Sequence, residues 1–202
     1  ACAPIGSPAG QRYLGAMMAA ANFAWANRQV MTGLAVRALV HALGLSEREI
    51  GARLVYDVCH NVAKLEEHLV QGRPRRVLVH RKGATRAFGP GDSRVPGAYR
   101  EVGQPVLIPG DMGRYSYVLA GTARAMEETF GSSCHGAGRL LSRHQALRPA
   151  RGRSIARELK DKGIEVISRG KKTLAEEMSE AYKDVAQVVS VVASAGISRL
   201  VA

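Results

Sequence analysis

From about Gln11 to Leu43 the chain is rich in alanine, methionine and leucine, whereas the later apolar runs are shorter. The first stretch reads as helix, with Ser7 as the cap and Pro8 in the first turn. It is one long helix, or two joined near Met31-Thr-Gly33. Tyr13, Phe23 and Trp25 fall inside its apolar pattern and are expected in the core. Beyond it, Arg53 to Val70 is expected to form one or two strands around His60, with Leu54, Val55 and Val58 as a buried run. Gln71-Gly-Arg-Pro74 reads as a hairpin connection and Arg76 to Phe88 as the returning strand. Gly89 to Gly103 is a loop; Pro105 to Ile108 and Tyr115 to Leu119 are strands flanking a glycine turn. Helices are expected over Thr122 to Phe130, Ile155 to Lys162, Thr173 to Tyr182 and Val185 to Ala195, and a brief strand over Ile164 to Ile167, closed by Ser168-Arg-Gly170. This order, without repeats or low-complexity tracts, suits an α+β fold of mixed β-sheet layers with flanking helices rather than regular strand-helix alternation.

With 202 residues, 46% of them hydrophobic, the chain can bury one good core, so a single domain over residues 1–202 is expected. Lysine and arginine number 29 against 17 acidic residues, a formal charge of +12. The excess is concentrated between Arg73 and Arg100 and between Arg139 and Lys172. Such clusters suit a polyanion, and the predominance of arginine in the first favours bidentate phosphate contacts over a merely solvated face. Three cysteines without a close paired spacing argue against a disulfide scaffold and for a reducing, cytoplasmic setting. Cys59 and Cys134 each precede a histidine of interest, and packing is preferred to metal ligation for both. No apolar run has the length of a membrane span.

The chemistry concentrates in Gly131-Ser-Ser-Cys-His-Gly-Ala-Gly-Arg139 and the Leu-Leu-Ser-Arg143 that follows. Gly136 and Gly138 let a large anion lie against the backbone. Arg139 and Arg143, at helical spacing, are expected on one face of a following helix. A neutral His135 imidazole could attack phosphorus and form a phosphoramidate. The same residues also read as a glycine-rich helix start with a capping histidine and solvated arginines. A second histidine, His60, stands beside Asn61 at a strand end, a pair that suits hydrogen bonding or metal ligation. Val79-His80-Arg-Lys-Gly-Ala-Thr-Arg86 delivers cations into a loop; because side chains alternate along a strand, Arg81, Lys82 and Arg86 cannot all face one ligand, and Lys82 is chosen for it, with the others as surface cations. His80 is expected in a structural or polyanion-contacting role, and His41, His68 and His144 have no partner pattern.

In this order, and with Ala1-Cys-Ala-Pro-Ile-Gly-Ser-Pro8, Ala21-Asn-Phe-Ala-Trp-Ala-Asn-Arg28, Tyr56-Asp-Val-Cys-His-Asn61 and His80-Arg-Lys-Gly-Ala-Thr-Arg-Ala-Phe88, the segments resemble the carboxyl-terminal half of the RtcB family of GTP- and manganese-dependent RNA ligases. The resemblance implies an RtcB-like fold in which the chain is the carboxyl-terminal part of a larger catalytic domain. It implies that His135 takes guanosine monophosphate from GTP and that His60 is a manganese ligand. Asn61, Pro109, Gly110, Asp111, Met112, Ser116, Gly136, Ala137 and Gly138 match positions that contact the guanylate. Lys82, Arg139 and Arg143 match basic positions around the RNA ends or nucleotide phosphates. The implied reaction joins RNA 3′-phosphate or 2′,3′-cyclic phosphate ends to 5′-hydroxyl ends in tRNA splicing or RNA repair, with tRNA halves or broken RNA as substrates and an archease-type activator as a partner. A noncatalytic RNA-binding remnant and a histidine-dependent nucleotidyl or phosphotransferase are the alternatives. Asp111 and Arg114 depart from the small residues usual in that turn, and a carboxylate there should repel phosphates unless a metal or Arg114 neutralises it. The family's remaining metal ligands match nothing between Ala1 and Ala202, nor does a guanine-contacting lysine, so the chain is expected to be a fragment, inactive alone.

Overall fold

The computed structural model describes residues 2–168 and 170–202. Ala1, where the resemblance begins, and Arg169, in the expected turn after Ile167, lie outside the described residues. The chain opens with a single helix, α1 (Pro8–Leu43), unbroken at Gly33. Ser7 accepts from the Gly10 amide at 3.1 Å, satisfying one of the amide donors that a helix start leaves open. A one-turn α2 (Glu47–Ile50) follows, started by a reciprocal Ser46–Glu49 capping box.

Strands β1 (Asn61–Val70) and β2 (Arg73–Lys82) form a ten-pair antiparallel hairpin closed at Gln71-Gly72, in register from Asn61 opposite Lys82 to Val70 opposite Arg73. β3 (Ala84–Arg86) continues β2 beyond Gly83 and changes partner, pairing with β6 (Ser132–Cys134). A third, three-stranded sheet has the order β4 (Pro105–Ile108), β5 (Tyr117–Gly121), β7 (Ser198–Leu200), also antiparallel. Between and after these lie α3 (Ala123–Glu128), α4 (Arg143–Ala146), α5 (Ile155–Asp161), α6 (Lys171–Glu176) and α7 (Val185–Ser194). The α+β class expected from the element order is therefore what forms.

Two apolar clusters hold these elements. In one, α7 lays Val185 and Val189 on Val106, Ile108 and Leu119 of the three-stranded sheet, with Ala87 and Ala137 completing it. In the other, Ile155 and Leu159 of α5 meet Leu174, Met178, Ala146 and Ala181. Non-directional burial of this kind is the main stabilising term.

Several local expectations fail. Tyr13, Phe23 and Trp25 are not in the core; they are 51%, 77% and 54% exposed along α1. Leu54 to Val58 is not a strand, and Leu54 and Val55 face solvent. The segment is irregular and held by side chains: Asp57 accepts two hydrogen bonds from Arg28 at 2.7 and 2.9 Å, and Tyr99 donates to the Val55 carbonyl. Ile164 to Ile167 is likewise outside any sheet, and α6 ends at Glu176, a 3-10 turn (Ser179–Ala181) replacing its expected last turn.

Candidate functional site

The exchange of partners at Gly83 assembles the site. His60 immediately precedes β1 and His135 immediately follows β6, so the two strands flanking the β2-to-β3 junction deliver both imidazoles to the same point. The rings stack with centroids 4.2 Å apart and planes 21° from parallel. Gly83 donates its amide to the His60 carbonyl at 3.1 Å, and Thr85 reaches the Cys59 carbonyl, so the His60 backbone is held from both sides. Gly83 has a φ of +72°, and a β-carbon there would lie 3.8 Å from His135 Nε2. A glycine interrupting a strand often marks such a close approach, and this was the available signal for a residue that motif reading missed.

His60 is exposed and His135 half-buried. Burial, then the nearby His60 and Lys82, hold the His135 imidazole below its ordinary value of 6.5. At neutral pH the ring therefore keeps an unprotonated nitrogen, the form a nucleophile needs.

Lys82 stands exposed at the end of β2, directly opposite Asn61. Its neighbours differ from it. Arg81 is 2% exposed rather than a surface cation, forking onto Glu66 at 2.9 and 2.8 Å. Arg86 donates to Gln104 at 3.2 Å and lies over the Phe88 ring. His80 stacks on Tyr13, and His68, buried, meets Glu66 at 3.0 Å. Cys134 packs against the first apolar cluster, where burial raises its thiol, whereas Cys59 turns its sulfur to Arg28 at 3.6 Å.

The Pro109 to Met112 turn comes to the same neighbourhood, with Gly136 backing onto the Pro109 carbonyl, 3.8 Å from where a β-carbon would sit. Ser116 accepts from the Gly110 amide at 3.4 Å. Asp111 is turned inward, its side chain 1% exposed; one carboxylate oxygen accepts from Ser179 and Gly113, and the other lies 3.4 Å from Arg114. The carboxylate expected to repel phosphates is thus neutralised and faces away from solvent. Met112 packs on the second cluster and Ala137 is buried in the first, while Gly138 is exposed.

No helix joins Arg139 to Arg143. Residues 135–142 are irregular, and α4 begins only at Arg143. The two guanidiniums nevertheless converge, on Glu177, at 2.9 and 3.5 Å. Arg139 is fully engaged: it also donates to the Leu141 and Glu176 carbonyls and to Tyr182, whose ring it covers. Arg143 is 73% exposed. Glu177 and Tyr182 had no motif to announce them.

Among the described residues no three His, Cys, Asp or Glu side chains gather as a metal-binding group. With Asp57 and Cys59 both directed at Arg28, His60 offers a metal one nitrogen donor, a chemically suitable first ligand rather than a whole centre. Among the described residues no helix is long and apolar enough to cross a membrane.

The whole chain, residues 1–202, matches the family described as tRNA-splicing ligase RtcB. It is 55% identical over 202 residues to the tRNA-splicing ligase RtcB of Archaeoglobus fulgidus, covering all of this chain and 42% of that protein. The protein of the same name from Thermococcus kodakarensis is 55% identical over 199 residues, 98% of this chain and 41% of its own length. That of Methanococcus maripaludis is 50% identical over 202 residues, 100% of this chain and 42% of its own. The chain thus spans about two fifths of the length of these relatives. With every residue inside the match, the chain belongs to the RtcB family.

Proposed function

We propose that this chain carries the nucleotide-accepting histidine of a GTP-dependent RNA ligase that joins 3′-phosphate or 2′,3′-cyclic phosphate ends to 5′-hydroxyl ends, in tRNA splicing or RNA repair. The observation that carries the reading is the stack of His60 on His135 over Gly83, with Lys82 exposed beside it. An unprotonated His135 nitrogen forms a bond to the α-phosphorus of GTP as the bond to the bridging oxygen breaks and pyrophosphate leaves. A 3′-phosphate oxygen then displaces the imidazole and takes the guanylate, and the 5′-hydroxyl oxygen attacks the activated 3′-phosphorus, releasing GMP and the 5′-hydroxyl proton as the phosphodiester forms. A 2′,3′-cyclic end is first opened by water. Manganese, with His60 as one of its ligands, supplies Lewis-acid charge withdrawal.

The remaining roles are those the resemblance implies, adjusted to where the side chains stand. Asn61, Ser116, the Pro109–Met112 turn and the Gly136–Gly138 backbone surround the guanylate, Asp111 and Ala137 through backbone groups because their side chains are buried. Lys82 and Arg143 are the exposed cations for phosphates. Arg139 reaches a phosphate only by exchanging Glu177 for it. The free cysteines suit a cytoplasmic setting, and the family's archease-type activator is the proposed protein partner.

The test is to incubate the full-length protein with manganese and GTP labelled at the α-phosphate. Acid-labile label is expected on the parent and absent from His135→Ala, and the parent alone should join a 3′-phosphate RNA to a 5′-hydroxyl RNA. Label surviving His135→Ala overturns the nucleophile assignment. Labelling without joining indicates a nucleotidyl or phosphotransferase, and RNA binding without labelling a noncatalytic protein.

A further inference from the structure

His135 is delivered by a strand of only three residues, Ser132–Cys134, whose sequence has little strand propensity. Something other than propensity must fix it. The turn that leads into it is unusual: Phe130 and Gly131 both have positive φ, 51° and 61°. A β-carbon at Gly131 would come within 2.3 Å of the Phe88 ring, so the turn lies flat on a wholly buried side chain.

One side chain grips this turn. From the inner face of the β1–β2 hairpin, the Arg81 guanidinium donates to the Phe130 carbonyl at 2.8 Å and to Ser132 Oγ at 2.9 Å. Nη1, together with the same Nη2 that reaches the Phe130 carbonyl, forks onto Glu66, which His68 also contacts. The Arg81 and Glu66 side chains are 1% and 3% exposed. A planar fork already fixed by a carboxylate has no freedom to follow the turn if it moves, which is the property required of a positioning group. Glu66 and Arg81 lie on the hairpin whose end pairs Asn61 with Lys82 beside His60. The same rigid element therefore holds the backbone flanking both imidazoles, one through hydrogen bonds around Gly83 and the other through Arg81.

We infer that Glu66 and Arg81 are positioning residues for His135: the buried pair locks the Phe130–Ser132 turn to the β1–β2 hairpin and so sets the imidazole against His60. The inference rests on the reading of His135 as the nucleotide acceptor for its catalytic consequence, but not for its structural one.

Two readouts separate these, both in the full-length protein. Removing Arg81 alone would strand a buried carboxylate, so the pair is replaced together as Glu66→Leu with Arg81→Met, an exchange that buried ion pairs often tolerate. Ser132→Ala, which deletes one acceptor and disturbs little else, is the second variant. The double variant is expected to keep its far-ultraviolet circular dichroism and to label from GTP about ten- to a hundredfold more slowly at saturating nucleotide, because misplacement by about an ångström costs this much. Its KM for GTP should stay within about threefold of the parent, since ground-state binding is not what the clamp supplies. Ser132→Ala should show a smaller fall of the same kind, and Arg81→Lys, which keeps the charge and loses the fork, an intermediate one.

Independently of GTP, carbethoxylation of His135 by diethyl pyrocarbonate, followed by mass spectrometry with exposed His144 as the internal reference, should quicken in each variant as the ring leaves its stack. A folded double variant that labels at the parent rate, or a His135 to His144 modification ratio unchanged in all three variants, overturns the inference. If the parent itself takes no label, the nucleotide-acceptor reading fails and the modification ratio alone decides the clamp. If the double variant does not fold, Ser132→Ala and Arg81→Lys decide it.

Discussion

At Gly83 two independent requirements fall on one residue. A φ of +72° is a conformation that an L side chain adopts at a cost of about 1–2 kcal/mol, and the missing β-carbon leaves the space beside His135 Nε2 open. Gly83→Ala should therefore lower the stability of the full-length protein by about that amount in denaturant unfolding. Its methyl group, at 3.8 Å from Nε2, makes an ordinary contact and need not displace the ring. It does occupy the approach to that nitrogen, so labelling from GTP should fall by about tenfold or more, beyond anything the modest destabilisation explains. Unimpaired labelling in a folded Gly83→Ala protein would mean that phosphorus approaches His135 from another side.

The β1–β2 hairpin is the element on which the site depends, and its two faces do different work. On one face α1 covers it, with Tyr13 stacked on His80 and the Ala63 amide 3.1 Å from Met17 Sδ. On the other, Glu66, His68 and Arg81 form a buried polar group. Burial alone would raise the Glu66 carboxyl, but hydrogen bonds from Arg81 and His68 outweigh it and hold the group below its ordinary 4.5. A depressed carboxyl contributes stability that is present above the unfolded-state value and lost as pH falls through the folded one. The pair's contribution should thus be constant from neutrality to about pH 5 and decline below about pH 4.5. Glu66→Gln, which leaves Arg81 buried without its counter-charge, should cost about 3–5 kcal/mol at pH 7. That deficit should shrink as pH falls below about 4.5, where the unfolded parent takes up a proton and the pair's contribution declines; urea midpoints of both proteins across about pH 3.5–7 check it, and a deficit independent of pH would contradict the assignment. Much of the hairpin was legible in the sequence, because Gln71-Gly72 punctuates two runs of strand-forming residues. β4, α5 and α7 were legible for similar local reasons. Leu54 to Val58 misled because its apolar, β-branched run pairs with no strand and is tied down by Arg28 and Tyr99, contacts no local pattern encodes. β6 was hidden for the converse reason: its strand state comes from pairing with β3 and from Arg81, not from its own residues. His60 and His135 could be named from their motifs, but their meeting depends on the change of strand partner at Gly83.

Over the whole molecule the 29 lysines and arginines are not all available to a ligand. Arg28, Arg81, Arg94 and Arg153 are paired with Asp57, Glu66, Asp92 and Glu158 or Glu180, so much of the arginine-rich character is used internally. What remains exposed includes Arg73, Arg75 and Arg76 on the hairpin, Lys82 at its end and Arg143 at the start of α4. Lys82 lies beside the stacked histidines, so it and Arg143 are the cations proposed to touch the phosphates of an RNA end. Each phosphate neutralised on a single strand contributes about 0.7 to the slope of log affinity against log salt. For the full-length protein binding a single-stranded RNA with a 3′-phosphate, Lys82→Ala and Arg143→Ala should each flatten the slope by about that amount. Arg94→Ala should leave it nearly unchanged, because Arg94 is already neutralised by Asp92 at 2.6 Å. A salt titration of the four proteins by fluorescence anisotropy decides the matter. Equal slopes throughout would show that the exposed cations make no backbone contacts, leaving the basic composition as a property of the surface rather than of an RNA site.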